Sequence, residues 1–94
     1  MYSIYEHKNV GKTLKKCPLE IKEKYEIWKN IVTLQGPNAL RNIKGFHDEA
    51  LTNNMKGKRS SRLNKQYRVI YEVFADQILV TVENITPHDY RRKK

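Results

Sequence analysis

Arg59-Ser60-Ser61-Arg62-Leu63-Asn64-Lys65-Gln66-Tyr67-Arg68-Val69-Ile70-Tyr71-Glu72-Val73-Phe74 is where the chain changes from a helical to an extended period. Arg59 to Leu63 reads as one strand. Tyr67 to Phe74 reads as the next, rich in β-branched and aromatic residues. Strand side chains alternate between faces. Arg59, Ser61 and Leu63 therefore share one side, and Ser60 and Arg62 the other. In the second strand Val69, Tyr71 and Val73 oppose Arg68, Ile70, Glu72 and Phe74. A third strand is expected over Gln77 to Ile85, where Ile78, Val80 and Val82 alternate with Leu79, Thr81 and Glu83. Ala75-Asp76 is short enough to make the link a hairpin.

Upstream the period is helical. From Leu19 to Leu34, Ile21, Tyr25, Trp28 and Val32 recur at helical spacing and Ile31 joins them, while Lys22, Glu23, Glu26 and Lys29 fall mostly on the other side. Tyr25 and Trp28 are read as core. Pro18 is suited to the first helical position, and Gly36-Pro37 ends the run. Lys8 to Lys16 reads as a weaker helix with Val10, Leu14 and Cys17 on one side; Ser3 to His7 as a short first strand; Asn38 to Ile43 as one more helical turn. The order predicts an α+β fold: two N-terminal helices packed on one face of a twisted antiparallel sheet.

With 94 residues the chain predicts one domain, residues 1–94. No apolar run approaches the ~18 residues of a membrane span. Met1-Tyr2-Ser3-Ile4-Tyr5-Glu6 lacks the basic start and apolar centre of a signal peptide. The single cysteine, Cys17, can form no internal disulfide, so a cytoplasmic location is expected. Nineteen Lys and Arg against ten Asp and Glu leave a net charge of +9. An excess of this size in a small domain suggests a polyanionic partner.

The common enzyme motifs are absent. Gly11, Gly36, Gly45 and Gly57 are too scattered for a dinucleotide fingerprint, and there is no phosphate-cradling loop. Cys17, His7, His47 and His88 lack metal-ligand spacing, so no metal or cofactor is expected. What remains is a basic cluster, residues 56–68, with six cations in 13 residues. Lys56, Lys58, Arg59 and Lys65 are read as general polyanion contacts, with Arg91 and Arg92 of the basic end as further ones. Arg68, opening an apolar strand, either snorkels to solvent or lines a sheet face that holds phosphate. Beyond Pro87, His88 titrates near neutrality and Tyr90 offers a phenolic proton and a stacking surface. Cleavage of RNA by its own 2′-hydroxyl needs a base for the hydroxyl proton, a cation for the crowded phosphate and an acid for the departing 5′-oxygen. Glu49, Arg62, Arg68, His88 and Tyr90 carry the groups for all three.

Ser60-Ser61-Arg62-Leu63-Asn64-Lys65-Gln66-Tyr67-Arg68-Val69-Ile70-Tyr71, with Asp48-Glu49-Ala50-Leu51 before it and Ile85-Thr86-Pro87-His88-Asp89-Tyr90 after it, resembles the RelE/ParE superfamily of bacterial toxins. These are the toxin halves of type II toxin–antitoxin modules, and the resemblance spans nearly the whole chain. It implies a ribosome-dependent messenger-RNA endonuclease, as in the RelE, YoeB and HigB branches, or a DNA-gyrase poison, as in the ParE branch; a non-catalytic nucleic-acid-binding protein is the third reading. It also implies a cognate antitoxin, the ribosome and messenger RNA as partners, with no membrane and no small-molecule cofactor. Arg62 and Arg68 match the sheet arginines that face the scissile phosphate. Glu49 resembles the base of the YoeB-like branch, and His88 and Tyr90 the C-terminal histidine and tyrosine of the nuclease branches. The chain departs from the pattern at Leu51-Thr52-Asn53, where relatives commonly carry Leu-Lys-Gly, leaving Lys56 and Lys58 as the nearby lysines.

Overall fold

Ile21, Tyr25, Trp28 and Val32 all bury one side of a helix that runs from Leu19 to Gln35. The computed structural model describes residues 1–87. In chain order these form β1 (Ser3–Glu6), α1 (Lys8–Lys15), α2 (Leu19–Gln35), β2 (Glu49–Ala50), β3 (Arg59–Arg62), β4 (Arg68–Phe74) and β5 (Leu79–Thr86). Short 3-10 turns occupy Pro37–Asn42, Lys44–Phe46, Asn53–Met55 and Ala75–Gln77. The expected extra turn after α2 is therefore 3-10 rather than α, opened by Pro37 after Gly36 turns the chain at φ 90°. Pro18 sits one place earlier than expected, just before the first helical residue, and its carbonyl accepts from Ile21 N at 3.0 Å.

Among the described residues one five-stranded sheet has the order β1-β5-β4-β3-β2. The meander β2 to β5 is antiparallel, as expected for the strands from Arg59 onward. β1, however, pairs parallel with β5, Ser3 opposite Leu79 through Glu6 opposite Val82, so the sheet is mixed. Alternation within a four-residue strand carries no direction. The direction follows from the long helical crossover that separates β1 from its neighbour.

The helices cover one face. Val10 of α1 and the α2 stripe pack on Val69, Tyr71, Val80, Val82 and Ile85. Trp28 meets Tyr71 edge-on at 5.2 Å between centroids, and Tyr25 stacks beside Trp28 at 5.8 Å. The Tyr25 hydroxyl donates to Glu6 Oε2 at 2.6 Å, which ties α2 to β1. Burial and the neighbouring Glu6 carboxylate push the Tyr25 phenol well above its ordinary range. The β5 alternation breaks once: a register shift at Ile70/Tyr71 leaves Glu83 as an extra residue, and Ile85 rejoins the core face. Ile78, expected on the apolar side of β5, lies before the strand in a left-handed conformation at φ 50° and is exposed.

Candidate functional site

The meander sorts its charged residues onto two faces. Arg62 pairs directly with Arg68, which pairs with Thr86. Two ladder positions away Glu49 pairs with Ser60, Ser60 with Ile70 and Ile70 with Asn84. Directly opposite residues share a face. Glu49, Arg62 and Arg68 therefore lie together on the face away from the helices; for the two arginines this is the shared face that the family resemblance implies.

The β3–β4 turn sets this register. Asn64 Oδ1 accepts from Gln66 N at 2.8 Å and Tyr67 N at 2.7 Å, an Asx turn, and Leu63 N donates to Tyr67 O at 2.8 Å. The turn brings the two arginines face to face. Side chains so placed have Cβ atoms about 4.5–5.5 Å apart, and like charges there destabilise a sheet. Arg68 is 5% exposed, and its Nη1 donates to Gln66 O at 3.3 Å. Arg62 is half-buried, and its Nε is a buried donor with no acceptor among the described residues. Two guanidinium groups set opposite each other carry the donors that a fork for a phosphate or another oxyanion needs. Glu49, half-buried, is a carboxylate on the same face two ladder positions from the pair.

The other expected cations are distributed differently. Arg59 points to the helix-covered face, where its Nε and Nη2 each lie 2.8 Å from Asp48 Oδ1. Burial opposes its charge, but the hydrogen bond and charge of Asp48 outweigh burial and raise its pKa. It is thus separated from the arginine pair. Lys58 is ion-paired with Glu83 at the β5 bulge. Lys56 and Lys65 are exposed in the turns that flank β3. His88, Tyr90, Arg91 and Arg92 lie outside the described residues.

Asp48 itself was not singled out by sequence reading. Its side chain is wholly buried, and besides Arg59 its Oδ2 accepts from Ser61 Oγ at 2.5 Å and from the Tyr71 hydroxyl. Burial and the Asp48 charge push the Tyr71 phenol well up. These partners are 11 to 23 residues away in sequence, so no local spacing announces them. Among the described residues no helix is long and apolar enough to cross a membrane, and no three His, Cys, Asp or Glu gather as a metal site would need.

No family model matches the chain, and no curated protein matches it. Solved structures do. The RelE–RelB complex of the archaeon Pyrococcus horikoshii superposes with a TM-score of 0.74 at 23% identity, covering 99% of this chain and 98% of that one. The YoeB–YefM toxin–antitoxin heterotetramer of Staphylococcus aureus gives 0.71 at 20% identity, covering 95% and 99%. The DinJ–YafQ complex of E. coli gives 0.69 at 17% identity, covering 94% of each chain. The chain has the fold of the RelE-like toxins.

Proposed function

We propose that this protein is the toxin of a type II toxin–antitoxin system and that it cuts messenger RNA on the ribosome. The observation that carries the reading is the Arg62–Arg68 pair, set directly opposite across β3 and β4 on the face away from the helices with Glu49 two ladder positions along on the same face. The shared fold of RelE, YoeB and YafQ structures supports it, as does the net charge of +9.

In this reading a phosphodiester sits over the arginine pair. Glu49 takes the proton of the 2′-hydroxyl as the 2′-oxygen bonds to phosphorus. Arg62 and Arg68 stabilise the added negative charge. The bond from phosphorus to the 5′-oxygen breaks, a 2′,3′-cyclic phosphate forms, and the departing oxygen receives a proton from an acid. His88 is assigned that acid and Tyr90 the role of orienting or stacking on a base. The segment that carries them leaves β5 at Thr86, the residue in register with Arg68. Lys56 and Lys65 contribute long-range attraction to the RNA backbone. The ribosome holds the three reacting atoms in line, an orientation that contributes roughly 7–11 kcal/mol. Activity on free RNA is accordingly weak. The solved relatives in complex with RelB, YefM and DinJ support a cognate antitoxin as the second partner, and a translating substrate fits a cytoplasmic location.

The test is induction in cells, with mapping of new 5′ ends on translated and untranslated copies of one message. Cuts at a fixed codon position on the translated copy alone are expected. Growth arrest with intact message and damaged DNA would overturn the reading in favour of a ParE-like gyrase poison. Salt-sensitive binding without cleavage on ribosomes would overturn it in favour of a non-catalytic nucleic-acid-binding protein.

A further inference from the structure

We infer that Asp48 is a positioning residue: from the helix-covered side of the sheet it pins β2 to β3 and β4, and so holds Glu49 on the arginine face. The inference rests on the reading of Glu49 as the base.

β2 is two residues long and lies at the sheet edge. Its ladder is Glu49 opposite Ser60 and Ala50 opposite Arg59. So short an edge pairing opens readily by itself. It is entered through His47, a non-glycine residue in the left-handed region at φ 43°, which costs backbone energy. Something else must hold the strand, and Asp48 is placed to do so. Its carboxylate takes the Nε and Nη2 of Arg59 on Oδ1, and the hydroxyls of Ser61 and Tyr71 on Oδ2. That uses the full accepting capacity of about four lone-pair sites. Two of the partners belong to β3 and one to β4, so one buried carboxylate joins three strands. Neighbouring residues in an extended chain point to opposite faces. Fixing Asp48 inward therefore fixes Glu49 outward, beside Arg62 and Arg68. A carboxylate that must collect a proton at one atom needs such support, because small displacements of a reacting group lower the rate steeply.

The experiment uses a translated message on ribosomes and compares the intact protein with D48N, S61A, Y71F, E49Q and the D48N/E49Q double variant. The expected result for D48N is a fall in kcat of about tenfold or more with KM little changed, the range typical of lost orienting partners. S61A and Y71F, which each remove one donor, shift kcat the same way by less. In the E49Q background D48N costs less than about twofold, because its effect runs through Glu49. Amide exchange at Leu51, whose N–H donates to Lys58 O at 2.9 Å just past β2, quickens in D48N while β4 and β5 stay protected. Equal losses from D48N with and without Glu49, or unchanged kcat and unchanged Leu51 exchange, overturn the inference. If D48N does not fold, S61A and Y71F decide by the same criteria. If the intact protein cuts no message, the functional reading fails, and Leu51 exchange decides the positioning: faster in D48N upholds it, unchanged overturns it.

Discussion

Arg59 and Arg62 stand three residues apart on the same four-residue strand and meet opposite fates. Arg59 turns to the helix-covered face and is matched there by a fully buried carboxylate. Arg62 turns to the face away from the helices, opposite Arg68, with a buried Nε that no described residue accepts from. The first is an internal ion pair whose partner lies within the fold. The second sets two like charges directly opposite each other across β3 and β4. Identical side chains thus meet different surroundings, and the face decides which.

The largest expected effect tests that division on the arginine face. Arg62→Ala should lower cleavage of a translated message by about 10²–10³-fold, the usual loss when one donor to a developing oxyanion is removed. Its thermal midpoint should stay near that of the parent. Unimpaired cleavage would remove the arginine face from consideration as the site.

The reverse pattern belongs to Arg59→Ala. Leaving Asp48 buried without its cation should cost about 3 kcal/mol, or a fall in thermal midpoint of roughly 12–20 °C for a domain of this size. Calorimetry on both variants measures the contrast directly; equal midpoints would dissolve it.

A smaller effect lies on the alkaline side. Tyr71 and Tyr25 have pKa values raised above the ordinary 10.0, by burial first and by their carboxylate partners next. Above about pH 10 the unfolded chain releases these protons while the folded chain keeps them. Stability is therefore full below pH 10 and declines as pH rises, by up to about 1.4 kcal/mol per pH unit for each tyrosine. Urea unfolding at stepped pH should show this slope, and Tyr71→Phe should roughly halve it.

The smallest effect concerns the exposed lysines. Lys56→Gln and Lys65→Gln should each lower the slope of log affinity for RNA against log salt by about one, with kcat unchanged. A change in kcat would move these residues from long-range attraction into the site itself.

Most of the elements were legible because their signals are local. The spacing of Ile21, Tyr25, Trp28 and Val32 marked α2, and the parity of Val69, Tyr71 and Val73 marked the covered face of β4. Parity alone did not place Arg62 with Arg68; the register of β3 against β4 did. β2 escaped notice because Glu49–Ala50 is too short to have a period. The parallel pairing of β1 escaped because strand direction is set by the crossover rather than by the strand. The bulge at Glu83 escaped because an inserted residue looks like a break in alternation until its partner strand is known.

The sequence alone determined which segments are helical or extended, which side of each is apolar, and that six cations gather within residues 56–68. Those properties depend on neighbours a few bonds or one helical turn away. Only the tertiary structure decided that Arg59 belongs to Asp48 while Arg62 faces away from the helices, and that Glu49 comes to lie two ladder positions from the arginine pair on the same face. Those pairings join residues 11 or more apart, and their energy appears only once the sheet has brought them together and excluded water from the Asp48 carboxylate.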